Sequence, residues 1–246
     1  MENNIIHDAV TDSNDSAAIC AGDSDWTTRG NVIRYNYFYD ITVRRVGFHT
    51  NHGIYLDDGN SSTSIYGNVF RRVEQPIQIG GGHDNSADHN IFVDCVGGLR
   101  IDDRCLTAPQ EWMDAFFVHA QDVPWATAAW RSKYPGVYAT LTSNDYRYPT
   151  GNSMVGNVAL RSTLSDRLRV WGIWELWGVN ANAPDNILKF QDNVATETQQ
   201  FVDEPNGDFT PLNGSAAKQS GIVPVKTSEL GVQRDTFIDP RKWQGP

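Results

Sequence analysis

Residues 53–95 read GIYLDDGNSSTSIYGNVFRRVEQPIQIGGGHDNSADHNIFVDC, and this stretch contains one short motif twice. Ile54 and Ile77 occupy equivalent places in the two copies, 23 residues apart, and Leu99 follows Ile77 after another 22 residues. A period of 22 also separates two asparagines that close apolar runs, Asn68 and Asn90. Two independent columns that keep one period indicate an internal structural repeat.

The repeat unit contains only short apolar runs, bounded by Gly, Asn, Asp or Ser, and none is long enough for an ordinary helix. Such a unit cannot bury its apolar face alone, whereas stacked units bury a continuous core. The pattern therefore predicts an all-β fold, a single-stranded right-handed parallel β-helix. In this stack the strand at Gly53 lies on the strand at Ala18, and the asparagines form a ladder at a tight turn, namely Asn36, Asn68 and Asn90.

The whole chain, residues 1–246, is predicted to be a single domain with two departures from the repeat. Residues 105–150 place aromatic residues at helical spacing between prolines, which predicts a helical and loop insertion that folds back on the repeats. Residues 201–246 have few strand signals and predict an irregular cap over the C-terminal edge. Because the motif already begins at Asn4, we expect a fragment of a longer chain, or a first turn that pairs with another chain or a missing domain.

Composition excludes several classes of function. The chain has 246 residues, a net charge of −10 and a pI near 4.9, which argues against nucleic acid as a partner because nucleic acid needs a basic surface. No apolar run reaches the roughly 18 residues of a membrane span. The histidines lack a compact metal-binding spacing, so we expect no metal and no cofactor. A calcium ion among the loop aspartates is the alternative, although the chain has no EF-hand pattern.

A column of acids is predicted where strands end. Asp57, Gly80 and Asp102 fall on three successive turns, so the two aspartates lie about 9.6 Å apart along the stack. The glycine between them would leave an open notch, and stacked carboxylates can serve as acid and base around a sugar. The column spacing favours an inverting pair. For Asp58 and Asp103, a purely structural role at the turn that ends the strand is as good an interpretation as a catalytic role.

Four further residues are candidates for binding a substrate. Arg104 can hold a carboxylate or a sugar hydroxyl, or form a salt bridge with a neighbouring aspartate. His83 and Asp84 follow three glycines that let a ligand approach the backbone, or simply form a surface turn. Trp26 lies in an acidic loop and could offer an exposed indole to a pyranose ring, while the other tryptophans are expected to pack against the repeats.

The motifs resemble a known family. The chain contains DSAAICAGDSDW (15–26), RGNVIRYNYFYD (29–40), GIYLDDG (53–59), SIYGNVF (64–70), IGGGHDN (79–85), HNIFVDC (89–95) and IDDR (101–104). These runs resemble the pectin-lyase-like, right-handed β-helix proteins of bacterial glycan degradation, and most closely glycoside hydrolase family 141. The described activities of that family include α-L-fucosidase and xylanase.

The resemblance implies an active site of acidic residues on one face, with Asp15 and Asp57 as the catalytic pair. It implies a glycoside hydrolase that acts on a plant or microbial polysaccharide or oligosaccharide, in an extracellular or periplasmic location. Two alternatives stay open. One is a polysaccharide lyase, which needs a base and a cation beside a uronate, and the other is a non-catalytic, glycan-binding or adhesive β-helix.

Overall fold

The computed structural model describes residues 1–22, 24–42, 51–162 and 187–231. In this part of the chain the protein is mostly β, its large sheets are parallel, and helices are few. Three parallel sheets, here called A, B and C, receive successive strands of the chain in that order. The coarse prediction of a β fold built from repeated parallel strands is therefore confirmed.

The strands of the three sheets have the following bounds. Sheet A contains β1 (Ile5–His7), β4 (Tyr37–Ile41), β7 (Val69–Val73), β10 (Ile91–Val93), β13 (Val158–Leu160) and β15 (Val194–Thr196). Sheet B contains β2 (Ala17–Gly22), β5 (His52–Asp57), β8 (Gln75–Gly80) and β11 (Leu99–Asp102). Sheet C contains β3 (Asn31–Arg34), β6 (Thr63–Tyr66), β9 (Ser86–Asp88), β12 (Asn152–Val155) and β14 (Leu188–Gln191).

The register of sheet B is the one that the repeat predicts. Ile19 pairs with Ile54, Ile54 with Ile77, and Ile77 with Leu99. Ile54, Ile77 and Leu99 belong to one buried core cluster, against which the partly buried Ile19 packs and to which sheets A and C also contribute. Because side chains alternate between the two faces of a strand, this register also decides which residues of sheet B point away from the core.

The predicted asparagine ladder is confirmed. The side-chain oxygen of Asn68 accepts hydrogen bonds from the backbone N–H and the side-chain amide of Asn36, both at 3.0 Å, and Asn90 accepts the same pair from Asn68. The ladder continues in both directions and contains Asn4, Asn36, Asn68, Asn90, Asn157 and Asn193. Each asparagine therefore satisfies the backbone of one turn and its neighbour at once.

The predicted helical insertion is also present. It consists of α1 (Arg104–Thr107), α2 (Gln110–Ala120), α3 (Ala128–Lys133) and α4 (Pro135–Thr142). Its buried residues, such as Met113 and Phe116, pack with Trp26 in a separate apolar cluster. This insertion, here called the helical arm, begins directly after β11 of sheet B.

The described part of the C-terminal segment, which was predicted to cap the C-terminal edge, packs against the outer face of sheet A. Residues 201–231 contain β16 (Phe201–Asp203), β17 (Asp208–Pro211), α5 (Ala216–Gln219) and short 3-10 turns at Glu204–Asn206 and Thr227–Glu229. Phe201, Phe209 and Ile222 pack on outward-facing residues of sheet A, and the N–H of Gly231 donates to the carbonyl of Asn3 at 2.8 Å.

The reason lies in sheet A, whose strands are apolar on both faces. Phe70 and Phe92 point into the shared core, while Val69, Ile91 and Val158 point outward and are fully or almost fully buried. A sheet with two apolar faces needs cover on both, and the C-terminal segment supplies the second cover.

Some predictions concern residues outside the described ranges. These are Asp23 in the acidic run at 15–26, and those of the other tryptophans that fall within 163–186. Among the residues that the structure describes, no helix combines the length and apolarity that a bilayer crossing requires.

Candidate functional site

The predicted row of acids lies at one end of the strands of sheet B. Gly22 pairs with Asp57, and Gly80 pairs with Asp102, so two glycines and two aspartates alternate across the sheet. Asp58 follows directly in a left-handed turn conformation with φ of 47°. The carboxylates point away from the core because Leu56, Ile79 and Ile101, one residue earlier in each strand, point into it.

The sequence led us to expect an open notch between the two aspartates. In the structure this notch is filled by Arg104. A Cβ atom on Gly80 would lie 2.6 Å from Cζ of Arg104, so the guanidinium occupies the space that a side chain at position 80 would take. Arg104 is the first residue of α1 and follows Asp102 by two positions. The helical arm thus returns a cation over the sheet that it has just left.

Arg104 joins several side chains of this face through one guanidinium. Its Nε and Nη2 donate to the two oxygens of Asp102 at 2.8 and 2.6 Å, and Nη2 also donates to the hydroxyl of Tyr55 at 2.8 Å. Nη1 donates to Asp57 and lies 3.5 Å from Asp58. A bidentate pair with a carboxylate is the strongest geometry available to arginine, so Asp102 is rigidly held.

The charges of this face shift the pKa values of its other groups. Burial alone would lower the pKa of the Arg104 guanidinium. The hydrogen bonds to Asp102 and Tyr55 and the negative charge of Asp102 outweigh the effect of burial, so the pKa is raised. Burial raises the pKa of the Tyr55 phenol above its usual range, although Arg104 acts in the opposite direction. At neutral pH the site therefore contains a charged arginine and an uncharged tyrosine.

The aspartates differ in their access to solvent. The side chain of Asp102 is 6% exposed, that of Asp57 is 27% exposed, and that of Asp58 is 58% exposed. The α carbons of Asp57 and Asp102 are separated by two strand spacings, about 9.6 Å, yet both carboxylates reach the same guanidinium. The spacing of the column therefore does not decide between inversion and retention.

Asp15 lies before the start of β2, whereas Asp57 and Asp102 lie where their strands end. It is exposed, it has φ of 54°, and it precedes β2 by two residues. Its charge acts on three side chains of the sheet B face by raising the pKa values of Cys20 and Tyr55 and opposing the lowered pKa of His52. The structure therefore brings Asp57, Asp58 and Asp102 together around Arg104, and the charge of Asp15 acts on the same face.

Sequence reasoning missed two residues of this face, Tyr55 and His52. Tyr55 alternates with the core residues Ile54 and Leu56, and this alternation was the signal that could have placed it beside Asp57. His52 packs against the Tyr55 ring with a centroid distance of 4.6 Å, and its ring lies 3.3 Å from the carbonyl of Ser16. Burial lowers the pKa of His52 to about 4, so it is uncharged at neutral pH.

Trp26, His83 and Asp84 do not lie on this face, and their predicted role as an exposed sugar-binding surface is not supported. Trp26 is 0% exposed and stacks on Phe116 of the helical arm, with a centroid distance of 4.4 Å. The sequence suggested an exposed indole because Trp26 lies among acidic residues. The apolar side of the helical arm nevertheless covers it.

His83 and Asp84 attach the helical arm to the sheets. The ring of His83 is fully buried, and its two nitrogens contact the hydroxyl of Thr150 at 3.1 Å and the carbonyl of Tyr146 at 3.0 Å. The backbone N–H of Asp84 donates to the carbonyl of Thr150 at 3.1 Å, and its carboxylate forms an ion pair with Arg29 at 2.7 Å. Burial lowers the pKa of His83 to about 4, which fits a neutral ring inside the joint rather than a sugar contact.

No group of three or more His, Cys, Asp or Glu side chains within the described ranges is arranged to hold a metal ion. The face instead carries its own cation in Arg104.

Comparison of the chain with family models, with curated proteins and with solved structures finds no match.

Proposed function

We propose that the chain is a right-handed parallel β-helix that hydrolyses glycosidic bonds at the acidic face of sheet B. The fold part of the proposal is supported by the order of the chain, which passes through sheets A, B and C again and again, with every strand parallel to its predecessor in the same sheet. Stacked turns of this kind present long rows of side chains on each face, which suits a linear polymer.

The grouping of Asp57, Asp58 and Asp102 around Arg104, with the charge of Asp15 acting on Tyr55 of the same face, is the observation that carries the proposed chemistry. Glycoside hydrolysis needs one carboxyl group that protonates the leaving oxygen and one carboxylate that activates water or attacks the anomeric carbon. Asp57 and Asp102 come from separate strands, and the register of sheet B brings them to one end of the sheet.

The geometry suggests a division of roles. Asp57 is paired with the guanidinium of Arg104, and a cation beside a carboxylate stabilises the anion that a base or nucleophile needs. Asp15 is exposed, and it can deliver a proton to a leaving oxygen in this proposal. Asp102 is almost buried and held by two hydrogen bonds to Arg104, so it serves to position Arg104. Asp58 is accessible enough to contact a sugar hydroxyl.

The charge balance favours a neutral sugar chain over an acidic one. Three aspartates contact Arg104 on this face, so a uronate or sulfate group would meet excess negative charge. A polysaccharide lyase remains the second enzymatic candidate, because Arg104 could neutralise a uronate if a substrate displaced it from Asp57. A polymeric substrate would agree with the extracellular or periplasmic location that we propose.

An activity screen with matched variants tests the proposal. Aryl fucosides, aryl xylosides, neutral polysaccharides and polygalacturonate would be incubated with the chain, while reducing ends and unsaturated products are measured separately. We expect hydrolysis of a neutral substrate, with a loss of roughly 10²–10⁴-fold in Asp15→Asn and in Asp57→Asn. Asp40→Asn is the control, because Asp40 forms an ion pair with Arg72 on sheet A.

Three outcomes would count against this assignment. Unsaturated products from polygalacturonate would support the lyase, and binding without turnover would support an adhesive protein. Activity that survives both Asp15→Asn and Asp57→Asn would move the chemistry away from these residues. If hydrolysis is found, NMR of the first product would show whether the anomeric configuration is inverted or retained.

A further inference from the structure

A groove lies on the outer face of sheet C, away from the acids of sheet B. It has a volume of about 400 Å³, which falls in the range of small-molecule sites. Its lining combines side chains of sheet C and its turns with the C-terminal segment, which forms one wall through Gly221 and Val223. The side chains at its centre are Tyr35, Tyr66, Ser64, Ser86, Asp88 and His89.

The turns between sheets C and A explain why a groove forms here. The residue before each ladder asparagine adopts a left-handed conformation, and large residues alternate with glycine at this position: Tyr35, Gly67, His89 and Gly156. A Cβ on Gly67 would lie 2.6 Å from the Tyr35 ring, and a Cβ on Gly156 would lie 2.9 Å from the His89 ring. Each ring therefore lies on the glycine of the next turn, and rings and gaps alternate along the stack.

The floor of the groove is polar and repeats from strand to strand. Ser64 pairs with Ser86 on the floor, and Ser153 continues this row beyond the groove, where its hydroxyl donates to the carboxylate of Asp88. In the neighbouring row Tyr66 pairs with Asp88. Neighbouring strands of one sheet are about 4.8 Å apart, so the two rows present hydrogen-bonding groups at this regular spacing along the stack.

The aromatic groups are fixed in place by their neighbours. The hydroxyl of Tyr66 accepts a hydrogen bond from Arg34 at 2.6 Å, and the rings of Tyr35 and Tyr66 meet edge to face with a centroid distance of 5.5 Å. Both tyrosines are only partly buried. Rings that are held rigidly and still reach solvent can bind a ligand with little loss of side-chain entropy.

We propose that this groove is a second binding site, which takes a neutral, linear oligosaccharide and holds it along the stack axis. The ring faces would contact the apolar C–H faces of the sugars, and Ser64 and Ser86 would bind hydroxyl groups. Asp88 gives the groove a negative charge, and the whole chain carries a net charge of −10, so an anionic chain is disfavoured. This site needs no catalytic group, and the proposal does not depend on hydrolysis at sheet B.

The test uses NMR of the full chain labelled with ¹⁵N and three neutral probes, namely cellohexaose, xylohexaose and mannohexaose. We expect at least one probe to shift the backbone amide signals of Gly67, Ser86 and His89, and hexagalacturonate to leave them unchanged. Tyr66→Ala should weaken the binding at least tenfold, whereas Tyr66→Phe, which keeps the ring, should stay within about threefold of the parent.

Two control variants separate this site from the rest of the protein. Tyr39→Ala removes a partly buried tyrosine of sheet A that stacks on Tyr37, and it should leave the binding unchanged. Asp57→Asn should also leave the shifts at Gly67 and Ser86 unchanged, whatever its effect on hydrolysis. Thermal unfolding of each variant shows that the fold is intact.

The proposal is overturned if none of the three neutral probes at millimolar concentration shifts the groove signals, or if shifts occur only at the acids of sheet B. It is also overturned if Tyr66→Ala binds as well as the parent. If only hexagalacturonate shifts the groove signals, the occupant is an acidic chain, and the proposal of a neutral oligosaccharide is rejected. It is also rejected if the shifts in the groove arise from concentration-dependent self-association of the protein.

Discussion

The guanidinium of Arg104 occupies the space that a side chain at Gly80 would need, with only 2.6 Å between its Cζ and the place of a Cβ on residue 80. One glycine in β8 therefore permits the first residue of the helical arm to lie over sheet B. Through that contact Asp57, Asp102 and Tyr55 become one hydrogen-bonded group.

The first prediction follows from this contact. Gly80→Ala should push Arg104 away from the two aspartates and lower the free energy of unfolding by about 2 kcal/mol, because the partly buried carboxylates lose their cation. Gly22→Ala is a matched control in the same row, since its new methyl group would meet Asp57 Cβ at an ordinary 3.9 Å. Urea denaturation compares the two, and equal losses would contradict the role assigned to Gly80.

The second prediction concerns the asparagine ladder. Asn68 is fully buried and bonds to Asn36, Asn90 and the carbonyl of Ile33, so Asn68→Ala should cost about 3–5 kcal/mol in unfolding free energy. Asn4 is the ladder member at the N-terminal end and is only partly buried, so Asn4→Ala should cost about 1 kcal/mol. Similar costs at both positions would show that the ladder contributes little beyond a local turn.

The third prediction is a dependence of stability on pH. Burial lowers the pKa of His83 to about 4 in the folded protein, below the unperturbed value of about 6.5 expected for the unfolded chain. Between these values the unfolded chain binds more protons, so stability is full above pH 6.5 and falls as the pH drops toward 4. From pH 7 to pH 5 this one histidine should remove about 2 kcal/mol.

His83→Gln tests this prediction, because glutamine cannot titrate. The variant should lose about 2 kcal/mol less than the parent between pH 7 and pH 5, when both are unfolded in urea at each pH. His52 has a pKa lowered to about 4 by burial as well, so a variant with both histidines replaced should show a difference about twice as large. An unchanged pH slope in the single variant would show that the His83 ring is not held neutral in the fold.

The fourth prediction concerns the C-terminal segment. Phe209 is 0% exposed and packs in the cluster that covers sheet A, so Phe209→Ala should cost about 3–5 kcal/mol. Val202 lies in the same segment but is 49% exposed, and Val202→Ala should change stability by less than about 0.5 kcal/mol. Limited proteolysis should cut the segment faster in Phe209→Ala. An unchanged cleavage rate would mean that the segment is held by its hydrogen bonds alone.

Much of the backbone arrangement was predictable because it follows from periodicity. A strand has a side-chain period of two, and a repeat has a fixed length, so the columns through Ile54 and Asn68 specified the register of sheet B and the asparagine ladder. The helical arm was predictable for the same reason, since its aromatic residues recur at helical spacing. These features depend on residues that are close in the chain or that repeat at a constant distance.

The arrangement of the candidate site was only partly predictable. The row of Asp57, Gly80 and Asp102 follows from the register, but the glycine alone did not reveal whether its notch was empty or filled. That depended on the direction in which the chain leaves β11, which returns Arg104 over the sheet. Trp26 and His83 were misjudged because their surroundings come from the helical arm, more than 60 residues away in the chain at Tyr146.

The sequence by itself determined the strand pairing, the inward and outward alternation and the columns of equivalent residues, because all three are properties of a repeat. Only the tertiary structure decided what covers each outer face: the helical arm over Trp26, Arg104 over Gly80, and the C-terminal segment over sheet A. The physical reason is that a non-repeating segment has no equivalent segment one repeat away in the sequence that would predict where it packs. Its place is set by which apolar or charged surface the repeats leave uncovered, and that surface exists only after the sheets have stacked.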